Sequence, residues 1–120
     1  MDLNSLFSLE GKIAVVTGGS RGIGEMITEG FLAAGCARVY ITARKAGPLN
    51  ETAARLGERV IPLEGDISSM AGVDDLVAEL AQRESKLDIL VNNAGAAWGA
   101  DYLSFPESGW DKVMALNVKT

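Results

Sequence analysis

Hydrophobic residues in this chain come as short unbroken runs, each followed by a stretch where they return every third or fourth position. Lys12-Ile13-Ala14-Val15-Val16 is the first run, β-branched and apolar, and predicts a buried strand. A glycine-rich turn, Thr17 to Gly24, follows at once. Ile23, Met26, Ile27, Phe31 and Ala34 then recur at helical spacing, and Gly35 stands where a helix C-terminal glycine belongs. Arg38 to Ala43 predicts a second strand. Gly47-Pro48 opens a helix to about Leu56, with proline in its first turn and Gly57 after its end. Arg59 to Leu63 reads as a third strand, left through Glu64-Gly65-Asp66. Ser68 or Ser69 caps the next helix, with Val73, Leu76, Val77 and Leu80 facing inward and Asp74, Asp75, Glu79 and Arg83 outward. Asp88 to Val91 predicts a fourth strand whose composition implies burial on both faces. Ser108-Gly109-Trp110-Asp111 has capping-box spacing and starts a last helix through Val113, Met114 and Leu116. Residues 1–11 are a lead-in, with Glu10-Gly11 turning into the first strand.

The order βαβαβαβα predicts an α/β fold: a parallel sheet with right-handed crossovers and helices on both faces. No repeat, low-complexity tract or linker divides it, so residues 1–120 form one unit. The sequence ends inside an amphipathic helix with no Gly, Asn or Pro stop signal. A doubly wound fold places a second half of its sheet across a switch point from the first. The expectation is therefore a partial domain, the N-terminal portion of a longer protein.

Composition narrows the function classes. The net charge is −5 over 120 residues, with acids and bases interspersed. That argues against a nucleic-acid or anionic-membrane surface, although a local basic pair can still serve one ligand. Cys36 is the only cysteine, which leaves no intrachain disulfide, and its place between a helix end and a strand predicts a small half-buried packing residue. The absence of histidine removes imidazole bases and histidine metal sites. Met1 to Ser5 lacks the basic and apolar regions of a signal peptide. No run reaches the ~18 apolar residues of a membrane span. A soluble, cytoplasmic protein is expected.

The candidate chemistry begins at the glycine turn. A strand that passes through glycines into a helix N-terminus aims unpaired N–H groups and the positive dipole end at one point, which suits a phosphate. The spacing Gly18, Gly22, Gly24 is not the common G-x-G-x-x-G dinucleotide pattern, and glycine-rich connections without ligands exist. In a dinucleotide fold, the residue about 20 positions beyond the glycines meets the adenine-side ribose. Here Thr42-Ala43-Arg44-Lys45-Ala46 offers cations and no acid, and Arg21 can reach the same place. Two guanidinium groups suit a 2′-phosphate, which favours NADP over NAD; the alternative is a solvated loop pair. Asp66 leaves the third strand at the same edge, positioned to accept from an adenine amino group while the Ile67 N–H donates. A loop Asp capping the next helix is an equal reading. Asn92-Asn93 suits backbone held open beside a ligand, and also suits a plain turn.

Taken together, Thr17-Gly18-x-x-x-Gly22-x-Gly24, Asp66-Ile67, Asn92-Asn93-Ala94-Gly95 and Asn117 resemble the short-chain dehydrogenase/reductase family. The resemblance runs from Leu9-Glu10-Gly11-Lys12 to Leu116-Asn117-Val118, and it implies the first half of a Rossmann-type sheet. It also implies that Gly18, Gly19, Ser20, Arg21, Gly22, Ile23 and Gly24 hold cofactor phosphates. Arg44 would sit beside the 2′-phosphate, and Asp66 and Ile67 would meet the adenine. Asn93, Ala94 and Gly95 would line the cofactor ribose, and Asn117 would be the first of the catalytic Asn-Ser-Tyr-Lys set. An asparagine inside an apolar helix also marks local distortion. The family's Tyr-x-x-x-Lys is not in this sequence: Tyr40 is followed four residues on by Arg44, and Tyr102 by Pro106. The implied activity is hydride transfer between NADP(H) and a carbonyl or alcohol, with these 120 residues inactive alone and the whole protein a homo-oligomer. The Ser20-Arg21 and Thr42-Ala43-Arg44 segments look most like NADPH-dependent 3-oxoacyl reductases of the rhamnolipid type. Gluconate-type sugar and polyol dehydrogenases are the second reading, and a non-catalytic dinucleotide-binding module the third. Trp98 is either a substrate contact or packing.

Overall fold

The computed structural model describes residues 1–120. Four strands, β1 (Ile13–Thr17), β2 (Arg38–Ala43), β3 (Val60–Glu64) and β4 (Ile89–Val91), form one sheet in the order β3-β2-β1-β4. Every pairing is parallel, with Val15 between Tyr40 on one side and Leu90 on the other. Parallel neighbours need crossovers, and α2 (Gly22–Ala33), α3 (Ala46–Leu56) and α4 (Met70–Arg83) supply them. No helix is long and apolar enough to cross a membrane.

The two-residue period of the strands splits the core in two. Ala14, Val16, Val39, Ile41 and Val60 face one side, where Cys36, Leu49 and Ala53 join them and Ile27, Phe31 and Leu56 pack alongside. Ile13, Val15, Tyr40 and Leu63 face the other side, against Leu76 and Leu80 of α4. Cys36 is fully buried, where the sequence predicts half-burial, because the turn after α2 tucks beneath the sheet.

Several elements depart from the sequence expectation. The lead-in contains a short helix, α1 (Leu3–Phe7), whose start is capped by the Asp2 carboxylate accepting from Asn4 N–H at 3.0 Å. In α2, Ile23 and Met26 lie outside at 65% and 61% exposure, while Gly24 and Thr28 are buried. The helix approaches β1 so closely that only small residues fit its first turns; a Cβ on Gly24 would collide with the Gly18 carbonyl. In α4, Ser69 is the cap, accepting from Gly72 N–H at 3.2 Å, and Val77 turns outward. Leu90 of β4 is 56% exposed rather than buried: it lies level with Val15, on the face that Leu76 and Leu80 cover, but is not part of that packed cluster.

Beyond β4 the chain forms a 3₁₀ turn (Tyr102–Ser104) and α5 (Glu107–Met114). Pro106 precedes α5 as its cap, so Ser108 lies inside the helix and the capping box does not form. Proline suits a helix entry because its fixed φ leads in and no N–H is lost. Ala115–Lys119 widens into a π turn with Asn117 within it. That is the local distortion expected around this asparagine.

Candidate functional site

All four strands end at one edge, and a cleft of about 520 Å³ opens there. The glycine turn forms its floor. Gly18 and Gly22 have φ of +65° and +58°, a left-handed conformation that residues with a Cβ rarely adopt. Each glycine has a different spatial reason. A Cβ on Gly18 would lie 3.0 Å from the Ala94 Cα, and one on Gly19 would lie 2.6 Å from the Ile41 Cγ2. A Cβ on Gly22 would meet no protein atom within 4 Å. Gly22 lines the cleft, so the space it leaves is ligand space. Immediately behind it α2 begins, and the first N–H groups of a helix have no preceding turn to bond. Arg21 is the N-cap and contributes no side-chain cap bond. A phosphate-bearing group therefore fits the observed backbone.

The second wall comes from the end of β2 and the start of α3. Arg44 and Lys45 line it, with Pro48 in the first turn behind them. Neither Arg21 nor Arg44 is held in an ion pair, whereas the chain's other arginines, at 38, 55 and 83, are with the exception of Arg59, which donates to the Cys36 and Leu32 carbonyls. Asp66 sits opposite, after β3. Its carboxylate accepts from the Ser68 hydroxyl at 2.6 Å and the Ser68 N–H at 3.0 Å. Those bonds, the hydroxyl first, hold its carboxyl below the usual range, and the Arg44 charge adds to them. Asp66 thus remains an acceptor at neutral pH, while the cap of α4 belongs to Ser69.

The third wall follows β4. Thr17 is the hub: its hydroxyl donates to the Val91 carbonyl at 3.3 Å and accepts from the N–H groups of Asn93 and Ala94, both at 3.0 Å. The Asn93 side chain donates to the Thr17 carbonyl at 3.0 Å and the Gly18 carbonyl at 3.3 Å. Asn93 therefore joins the ends of β1 and β4 and leaves Ala94-Gly95 along the cleft. One level out, Asn117 grips Ala96 from both sides, accepting from its N–H at 2.8 Å and donating to its carbonyl at 2.9 Å.

Of the residues singled out in the sequence, Gly18, Ser20, Arg21, Gly22, Ile23, Gly24, Arg44, Asp66, Ile67, Asn93, Ala94 and Gly95 line this single cleft. Gly19 lies beneath the loop, against Ile41, and does not reach the wall. Asn117 is also set back, and its neighbour Leu116 lines the cleft instead. Trp98 packs on α5: its ring lies where a Gly109 Cβ would point, with the Lys112 ammonium 5.4 Å from the ring centroid. Pro48, Gly65 and Leu116 line the cleft without having been singled out as site residues, and Thr17, named only as the head of the glycine motif, is the hub of the strand-end bonds. Its place at the end of an apolar run gives no sign of that bonding role.

A parallel sheet, a glycine turn into a helix N-terminus and a cleft across the strand ends define a Rossmann-type nucleotide-binding domain. The profile of the short chain dehydrogenase family matches residues 12–120, and the chain belongs to that family. It is 53% identical over 120 residues to a rhamnolipids biosynthesis 3-oxoacyl-[acyl-carrier-protein] reductase of Pseudomonas aeruginosa, covering 97% of this chain and 46% of the relative. It is 40% identical over 116 residues to the 2-dehydro-3-deoxy-D-gluconate 5-dehydrogenase of Escherichia coli, covering 97% and 46%. Among solved structures, the Pseudomonas aeruginosa RhlG/NADP active-site complex superposes with a TM-score of 0.89 at 53% identity, over 94% of this chain and 44% of that one. The L-sorbose reductase of Gluconobacter frateurii, complexed with NADPH and L-sorbose, superposes with a TM-score of 0.86 at 34% identity, over 94% and 44%. The chain spans less than half the length of these relatives.

Proposed function

We propose that this chain is the NADP(H)-binding half of an oxidoreductase that moves a hydride between NADPH and a carbonyl substrate, of the 3-oxoacyl thioester class. The observation that carries the reading is the pair of cations, Arg21 and Arg44, on a cleft with no acid at the end of β2. An acid there would accept from a free ribose hydroxyl; guanidinium groups instead suit a 2′-phosphate. The N–H groups opening α2 would hold the cofactor phosphates, with Gly22 leaving them room. Asp66 would accept from the adenine amino group, and the Ile67 N–H would donate to the ring. Ala94 and Gly95, held by Asn93 and Thr17, would line the ribose. Asn117 keeps the strand-end loop in place beside the reacting region. When bound, the dinucleotide supplies the hydride; the proton needs a positioned acid. This sequence has no Tyr-x-x-x-Lys to supply one, so catalysis requires residues outside it.

The 3-oxoacyl class is supported by the 53% identity to the Pseudomonas reductase. The 40% identity to the gluconate enzyme supports a sugar-acid or polyol substrate as the second reading. A homo-oligomer is proposed for the whole protein.

Fluorescence titration with NADPH and NADH tests the cofactor assignment. A charge-assisted hydrogen bond contributes roughly 1.5–3 kcal/mol, and exposure of the arginine argues for the lower end, about one decade in affinity. Arg44→Asp is expected to narrow or invert the NADPH preference. An unchanged NADPH/NADH ratio overturns the assignment.

A further inference from the structure

The glycine turn is held from outside the cleft by α3. Thr52, buried on α3, donates its hydroxyl to the Ser20 carbonyl at 2.7 Å. It lies between Leu49 and Ala53, both buried in the core, so the hydroxyl is presented from a fixed backbone. One turn further along, Arg55 pairs with Glu25 and Glu29 of α2. The same α3 begins directly after Arg44, with Lys45 as its N-cap.

The bond to Ser20 fixes more than one atom. A trans peptide is planar, so its carbonyl and the following N–H point in opposite directions. With the Ser20 carbonyl turned to α3, the Arg21 N–H is turned away from α3, and no protein acceptor bonds it. The same bond ties the loop backbone just before Arg21 to α3, and so sets where Arg21 stands relative to that helix. Releasing it would let the loop that carries Arg21 shift relative to Arg44, which directly precedes the N-cap of α3.

We propose that Thr52 is a positioning residue for cofactor selectivity: through the Ser20 carbonyl it locks the Ser20–Arg21 peptide so that Arg21 and Arg44 converge on one phosphate. This rests on the assignment of a 2′-phosphate to Arg21 and Arg44. Without the hydroxyl, the loop is free to shift from α3 and the two cations no longer meet at one phosphate. The N–H groups that open α2 are untouched, so binding of the phosphates common to both dinucleotides survives.

The test uses the full natural polypeptide and direct titration with NADPH, NADH and 2′-phosphoadenosine 5′-phosphate, read by fluorescence or heat rather than turnover. Thr52→Val keeps the shape and Thr52→Ala keeps helix propensity, and both remove the donor. Each is expected to weaken NADPH and the adenosine bisphosphate about fivefold to tenfold, the effect of one net hydrogen bond, with NADH changed less than twofold. Thr52→Ser retains the hydroxyl and is expected to restore the wild-type ratio. Equal weakening of NADPH and NADH in both donor-less variants, or no rescue by serine, overturns the role of Thr52. A wild-type protein with no preference for NADPH overturns the underlying assignment instead, and the two failures are distinct.

Discussion

Asn93 and Thr17 bind each other twice: the Asn93 N–H donates to the Thr17 hydroxyl and the Asn93 carboxamide donates to the Thr17 carbonyl, each at 3.0 Å. The pair joins strand ends that are 76 residues apart in sequence. Asn93→Ala removes the two carboxamide donor bonds and leaves the Thr17 and Gly18 carbonyls short of partners. The expected loss is about 1–3 kcal/mol, seen as a lower urea midpoint with an unchanged slope. Asn93→Asp places a carboxylate against the same two carbonyls and is expected to lose more. Equal stability of all three proteins would show that the bonds are replaced by water.

Gly22 and Gly24 separate binding from folding. Valine at Gly22 fills the cleft and is strained at φ +58°, so dinucleotide binding is expected to vanish while helical circular dichroism remains. Alanine at Gly24 drives a methyl into the Gly18 carbonyl and the Asn93 carboxamide, so the fold itself is expected to weaken. Normal NADPH affinity in Gly22→Val would reduce the loop to a plain turn.

Acid is expected to destabilise the domain through two carboxylates. Arg38, then the Tyr40 hydroxyl at 2.7 Å, hold Glu84 below its ordinary pKa. Asp88 is lowered first by the Ile13 N–H, which it accepts at 2.9 Å, and then by Lys86. Both groups bind protons more weakly in the folded state, so their contribution is complete above the unfolded values near ~4. It is lost as pH falls through the folded values. Glu84→Gln is expected to lower the Tm at pH 7, and its gap from wild type is expected to shrink toward pH 3. A gap that stays constant with pH would assign the effect to packing.

The 120 residues made alone are expected to be inactive and self-associating. Leu90 stands exposed on an edge strand whose far side has no neighbour, and such an edge is a template for association. A sharp monomer peak in size-exclusion chromatography would remove the structural claim. NADPH oxidation above background with any ketone would remove the catalytic one.

The strands were legible because each is a β-branched run in a parallel sheet, where burial erases alternation. Only their ends shifted, by one residue at most. Helix faces were less legible. Periodicity named Ile23 and Met26 as core in α2, but the glycine turn sets α2 so close to β1 that Gly24 and Thr28 occupy the contact. Leu90 was misplaced because apolar composition reports a surface to be covered, not which segment covers it.

In the site, glycines and charges announced themselves, because a left-handed φ or an uncompensated arginine has few other uses. The bonding roles of Thr17 and Thr52 did not. A threonine reads as strand or helix filler until the fold brings a carbonyl or N–H to its hydroxyl. The hydrogen bonds around Asn117 were equally hidden: the sequence marked a distortion, but not that Ala96 is what the side chain holds.

The strand order has a consequence in time. The β1, β2 and β3 segments pair with one another within the first 64 residues, so most of the sheet can assemble early during synthesis. Between them, β1 and β4 wait for residues 89–91, and the cleft takes lining from as far along as Leu116. Until then Thr17 has no Asn93 to bind and the glycine turn stands open on one side. The nascent chain therefore has three strands of its sheet before the cleft has its third wall.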